Sequence, residues 1–298
     1  MTSIPHAATV LLLRESDAGL QVLLTKRAAG LSLMGGLWVF PGGRMEPSDL
    51  APELAARADQ ASIADTALRM LGAGGEPIDI ETARGLLMAA CRETFEESGV
   101  LLARPREGAE RSGAERFVRV SARRVEASAD AAAFVRLLVD EDLVLDVERL
   151  VYWSHWITPS FEKKRFDTRF FALPVPAGQE ASVDLGELTH HAWLTEEDVR
   201  THLESGEMRM APPTRATLQD LWRSHARHGG LTEMLAAERA RSVPPILPKM
   251  IEAGEQLEIV LPWDEHYEQI PGEGCRVLAD YPRYVRAMPS RMRFPRAR

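Results

Sequence analysis

Residues 89–100 constrain this chain more than any other stretch. They read Ala-Ala-Cys-Arg-Glu-Thr-Phe-Glu-Glu-Ser-Gly-Val and carry three carboxylates, Glu93, Glu96 and Glu97. Spacings of three and four bring all three to one face of an α-helix. Leu87, Met88, Cys91 and Phe95 recur at helical spacing on the opposite face. Gly99 suits the left-handed position that closes such a helix. One face is therefore committed to a core. The other concentrates negative charge, at a cost of about 0.2–0.5 kcal/mol per like-charged pair. Either that face is solvated, with Arg92 offsetting part of the charge, or it collects a divalent cation that prefers oxygen ligands.

The residues ahead of this helix read as strands. Residues 8–13 and 21–25 are apolar runs separated by the turn signal Asp17-Ala18-Gly19, which predicts a β-hairpin. Residues 37–40 form a third strand, stopped by Pro41-Gly42-Gly43. Paired glycines let the backbone approach a ligand closely, and they are equally the residues of a plain turn. Residues 50–71 have a helical pattern that residues 72–77 break. Further on, residues 129–140 read as helix, and residues 152–157 and 166–175 as strands flanking a cationic loop. A short strand at 192–194 leads into a helix opened by Thr195, and another helix follows Pro212-Pro213-Thr214. Residues 244–248 read as a linker, and residues 257–261 as a strand.

Gly43, Asp49 and the run from Arg92 to Val100 together resemble a Nudix box, G-x5-E-x7-R-E-U-x-E-E-x-G-U, where U is bulky and apolar. Asp49 stands in place of Glu and Thr94 in place of an apolar residue. Between the two halves, 42 residues stand where the family pattern has seven. A long insertion at this point is similar to the coenzyme A diphosphatase-type branch of the family. Leu23, Leu24, Thr25, Arg27, Leu31, Gly36, Phe40, Pro41, Gly42 and Gly43 fall in register with that branch's upstream motif. Ala28, Met34, Leu37 and Trp38 depart from it.

The resemblance implies an α/β fold: a Nudix-type α/β/α sandwich with a mixed sheet, in residues 1–242, carrying helical insertions at about 50–82 and 103–148. Residues 243–298 would pack on this domain or in a dimer contact. It further implies metal-dependent hydrolysis of a nucleoside diphosphate linked to another moiety, with Mg²⁺ or Mn²⁺ held by Glu93, Glu96, Glu97 and the backbone of Gly43 or Gly42. Arg92 would brace a carboxylate. Glu96 or a loop acid, Glu187 first and Glu162 second, would handle the attacking water. Arg27, Arg44 and Arg165 are expected at the phosphates, and Phe40 and Phe166 at a cleft wall or in the core. Coenzyme A or an acyl derivative is the leading substrate; ADP-ribose, NADH and dinucleotide polyphosphates are the alternatives. A ligand sensor of the same fold without turnover is the alternative of another class.

Composition narrows the partners. The net charge of −8 over 298 residues argues against a general nucleic-acid binder, although residues 276–298 hold seven arginines and one acid. The two cysteines, Cys91 and Cys275, offer neither a disulfide framework nor a zinc pattern. Without a signal sequence or a long apolar run, a cytoplasmic protein with no membrane partner is expected, acting on a small nucleotide, with a homodimer as the partner to look for.

Overall fold

Alternation along the first strand sets the layering. In the computed structural model, which describes residues 4–31, 34–106, 113–182, 188–253, 256–278, 281, 285 and 288–295, β1 spans His6–Ser16. Its Ala8, Val10 and Leu12 enter one core, and Leu11 and Leu13 enter another on the opposite side of the sheet. A sheet apolar on both faces must be covered on both.

The strands that follow are β2 (Gly19–Arg27), β3 (Trp38–Val39) and β4 (Gly42–Arg44). The predicted hairpin is present, with Ser16 opposite Gly19 and Leu13 opposite Val22. Helices α1 (Pro52–Ala55), α2 (Gln60–Ala67) and α3 (Ile80–Ser98) come next. After β5 (Ala103–Pro105), a second helical group holds α4 (Gly113–Ala122), α5 (Arg124–Ala129) and α6 (Ala131–Asp140). The chain continues through β6 (Leu143–Leu145), β7 (Val151–Ile157), β8 (Asp167–Pro174) and β9 (Leu188–Leu194). It then forms α7 (Glu196–Glu204), α8 (Pro212–His228), α9 (Leu231–Glu238) and the strands β10 (Pro245–Ile246), β11 (Lys249–Ala253), β12 (Gln256–Val260) and β13 (Arg291–Pro295).

Among the described residues one mixed sheet runs β10-β7-β8-β1-β2-β3, with β4 also on β1 and β9 also on β2. β1 and β8 are parallel, and β1 and β2 antiparallel. The face bearing Val10 and Leu12 is covered by α2, α3 and α6, through residues such as Ile63, Leu87, Phe95 and Phe134. The face bearing Leu11 and Leu13 is covered by α7, α8 and α9, through Val199, Leu221, Trp222 and Met234. This is the α/β/α sandwich expected. No helix among the described residues is long and apolar enough to cross a membrane.

Helix α3 forms as its sequence dictates. The Asp79 side chain accepts from the Thr82 N–H at its start, and Gly99 closes it at φ +71°. Elsewhere tertiary contacts redraw the expected elements. Residues 50–71 are not one helix: Pro52 opens α1, and Asp59 caps a separate α2. Arg57 in the break donates to the Leu143 carbonyl at 2.8 Å, and its own carbonyl accepts from the Leu145 N–H, so the interruption serves β6. The expected helix at 129 starts at Ala131, because the Asp130 side chain accepts from the Ala132 N–H. Residues 244–248 are no linker either. They are buried, and β10 adds to the sheet parallel to β7.

On β8, Asp167 gathers the buried Arg169 and two histidines. Arg169 Nη1 lies 2.8 Å from Oδ1, His155 Nε2 bonds the same oxygen, and His6 Nδ1 lies 3.4 Å from Oδ2. Arg169 also donates to the Leu71 carbonyl, which ties the end of the first insertion to β8. Burial, with the Arg169 charge beside it, pushes His155 down to about 4 from an ordinary 6.5. The unfolded chain takes up this proton as pH falls through 6.5, and the folded chain only near 4. Stability from this group is therefore whole above about pH 6.5 and drains toward pH 4. Urea unfolding should show His155 costing the wild type about 2 kcal/mol between pH 7 and 5. The His155→Gln variant should lose that part of the slope; an identical slope in both proteins would refute the assignment.

Candidate active site

Strand β1 changes partner along its length. Its Ala7, Ala8 and Thr9 pair with Arg44, Gly43 and Gly42 of β4, whereas Leu13 to Ser16 pair with β2. The fork lies at Pro41, whose carbonyl accepts from the Val10 N–H at 2.8 Å. It aims β4 under α3. Gly42 sits at φ +156°, and a Cβ there would run into the Ala8 carbonyl and the Thr9 backbone. A Cβ on Gly43 would run into the Glu93 carboxylate. The two glycines thus let backbone and carboxylate share one small space.

Arg92 joins the parts. It is 3% exposed, and its partner Asp49 only 1%. Arg92 Nε and Nη2 donate to the two Asp49 oxygens at 2.8 and 3.0 Å, a bidentate pair. Nη1 donates to Glu93 at 2.8 Å and to Glu96 at 3.1 Å, and Nη2 also reaches the Arg44 carbonyl at 2.9 Å. Asp49 is held in turn by the Glu46 N–H at 2.8 Å. Burial opposes the Arg92 charge, and the carboxylates around it outweigh that and keep it firmly protonated.

The three carboxylates line one cleft of about 1370 Å³ but have different surroundings. Glu97 accepts from the Gly42 N–H at 2.9 Å and stands 3.8 Å from Arg27. Burial pushes Glu96 up to about 7, with Glu93 adding to the effect and Arg92 opposing it. The described residues hold no group of three or more His, Cys, Asp or Glu arranged to take a metal ion. Arg92 draws Glu93 and Glu96 to itself, and Glu97 turns to the β4 backbone, so the carboxylates share a wall without closing into a ready-made cage. The donor set still fits a hard cation: all ligands are oxygens, and the buried Oε1 of Glu96 finds no hydrogen-bond partner.

The other expected residues divide. Arg27, Phe40, Arg44 and Phe166 line the cleft, as does the loop acid Glu162. Phe40 is nevertheless largely core, edge-on to Phe170 at 6.2 Å. Arg44 pairs with Glu46 at 2.9 Å. Arg165 is not brought to the cleft. It donates to the Thr158 carbonyl and pairs with Glu273 at 2.6 Å, and the neighbouring Lys164 lines the cleft instead. Glu187 lies outside the described residues.

Sequence reasoning missed Arg124, which donates through Nε and Nη2 to the Glu96 carbonyl at 3.1 and 2.8 Å. It brings the second insertion to the end of the carboxylate helix, where a cation complements the helix dipole. Nothing in its local sequence separates it from the arginines around it. Also missed were Trp156, Pro248 and Ile259, which line the cleft from distant segments.

A family model described as the NUDT19 Nudix domain matches residues 4–221. The chain is similar to the acyl-coenzyme A diphosphatase NUDT19 of Xenopus laevis, 25% identical over 280 residues, covering 84% of this chain and 72% of that protein. It is similar to the protein of the same name from Gallus gallus, 28% identical over 288 residues, covering 84% and 74%. Among solved structures it resembles a NUDIX hydrolase from Alicyclobacillus acidocaldarius, with TM-score 0.57 and 29% identity, covering 74% of this chain and 92% of that one.

Replacing Asp49 by Asn should lower the free energy of unfolding by about 3–5 kcal/mol, because a buried guanidinium loses its main counter-charge. Urea titration at neutral pH measures this. Near-wild-type stability would show that Glu93 and Glu96 suffice to hold Arg92.

Proposed function

The chain belongs to the NUDT19-type Nudix hydrolase family, and on that premise we propose that it cleaves the pyrophosphate of coenzyme A or acyl-coenzyme A. The products are 3′,5′-ADP and the phosphopantetheine or its acyl thioester. The observation that carries this reading is the cleft itself. One wall gathers Glu93, Glu96 and Glu97 around the Gly42–Gly43 backbone, and the rest is mainly apolar. That pairing suits a substrate with a charged diphosphate at one end and a long, weakly polar arm at the other. The relatives named acyl-coenzyme A diphosphatase support the same choice.

In this proposal Glu93, Glu96 and Glu97 would hold Mg²⁺ or Mn²⁺, which would offset diphosphate charge and make water easier to deprotonate. Arg92 touches no substrate; it fixes Glu93 and Glu96 and links them to Asp49. Arg27, Arg44 and Lys164, cations of the cleft lining, meet phosphate oxygens. Glu96 orients the attacking water, and a loop acid, Glu187 or Glu162, accepts its proton. Phe166, with the small exposed part of the core residue Phe40, forms a wall for the base or the pantetheine arm.

The purified protein with Mg²⁺ or Mn²⁺ should release 3′,5′-ADP from coenzyme A faster than it cleaves ADP-ribose, NADH or diadenosine polyphosphates, and EDTA should stop turnover. Glu97→Gln should lower kcat by about 10²–10³-fold with little change in melting temperature. Gly43→Ala, which displaces the Glu93 carboxylate, should lower kcat in the same direction. Preference for ADP-ribose or NADH would discard the coenzyme A reading while keeping the hydrolase chemistry. Full activity in Glu97→Gln would remove Glu97 from the site.

A further inference from the structure

We propose that the end of the cleft away from the carboxylates is a subsite for the acyl chain carried on the sulfur, built in part by the C-terminal segment. This rests on the coenzyme A reading above and adds to it a place and a set of residues. Pro248 and Ile259 lie beyond the residues matched by the family model, yet both line the cleft together with Trp156, Ile157 and Phe161.

Length decides which part of the substrate they meet. From β4, beside the carboxylates, to β10 the sheet runs β4-β1-β8-β7-β10. Four spacings between neighbouring strands amount to about 19 Å. In coenzyme A about thirteen bonds separate the second phosphorus from the sulfur, roughly 15 Å when extended at the rise of a peptide chain. With the diphosphate at Glu93, Glu96 and Glu97, the sulfur arrives near β7. An acyl chain then continues past Trp156 of β7 toward its neighbour β10 and the following Pro248, and Ile259 of β12 lines the same cleft. The cleft, at about 1370 Å³, exceeds the usual ~300–1,000 Å³ of small-molecule sites, which leaves room for a chain beyond the coenzyme.

Two further features fit an apolar occupant. Phe161, in the loop between β7 and β8, is 39% exposed although it is a large aromatic residue at the cleft. A lipid-like chain would cover it. On β12, Glu258 is buried and paired with Arg291 and Arg293, the latter at 2.8 Å, and Arg291 also binds Asp264. Side chains alternate along a strand, so anchoring Glu258 on one face fixes Ile259 on the other. Arg291 and Arg293 of the basic tail thus hold the subsite wall in position.

The test compares kcat/KM for coenzyme A with that for acetyl-, butanoyl-, octanoyl- and dodecanoyl-coenzyme A. In the wild type, KM should fall as the chain lengthens. In Ile259→Asp the octanoyl-to-coenzyme A ratio of kcat/KM should drop about tenfold, the scale of losing two buried methylenes. Ile259→Ala and Phe161→Ser should lower it by smaller factors, and thermal melting identifies any variant that has lost its fold. Wild-type turnover with a ratio that none of the folded variants moves would overturn the subsite alone. A wild type inert toward coenzyme A and all its thioesters would overturn the parent reading, and this one with it.

Discussion

The buried pair between Arg92 and Asp49 is the interaction on which the rest depends. Asp49 follows the glycine strand, and Arg92 lies in the middle of the carboxylate helix. Their bidentate contact holds these two segments in one geometry although 42 residues intervene. Because Arg92 also donates to Glu93 and Glu96, the same guanidinium sets where these two cleft carboxylates stand. A buried charge tolerates little error in its partners. Position and stability are therefore coupled at this point, and Gly42 and Gly43 supply the space that lets the coupling exist.

Around this centre residues 50–82 and 103–148 act as buttresses on the same face of the sheet. The first returns to the sheet through the Leu71 carbonyl and Arg169, and packs α2 against α3. The second reaches the far end of α3 through Arg124. The carboxylate helix is thus capped by Asp79 at one end and by a guanidinium at the other, with the sheet beneath it. The C-terminal strands close the remaining side of the cleft, so segments far apart in the chain meet around one volume.

Much of this was legible before any coordinates. The helix at 80–98 announced itself by periodicity and by its closing glycine. The hairpin followed from two apolar runs and a turn, and the pairing of Gly43 and Asp49 with Arg92 to Val100 pointed to the family and to segments that meet at one cleft wall. What escaped was set by partners distant in sequence. Pro52 and Asp59 break a run that reads as helical, because Arg57 must meet β6. Arg165 looked like a phosphate ligand until Glu273 claimed it. Pro244 to Pro248 have the composition of a linker, yet the free edge of β7 recruits them as a strand. Local pattern carries no record of such remote partners, and the same holds for Arg124 and Ile259.

The first insertion also bears on how such a chain can change. Its ends are pinned, one by Asp49 and the other by α3, so its length is decoupled from the geometry of the site. Doubling a flexible connection costs only about 0.6 kcal/mol of closure entropy. The exposed turn around residues 74–77 can therefore lengthen or change in small steps, while Leu54, Ile63 and Met70 keep their place in the core. That turn, and not the packed helices beside it, becomes the place within the interrupted motif where foreign sequence can be grafted at low risk.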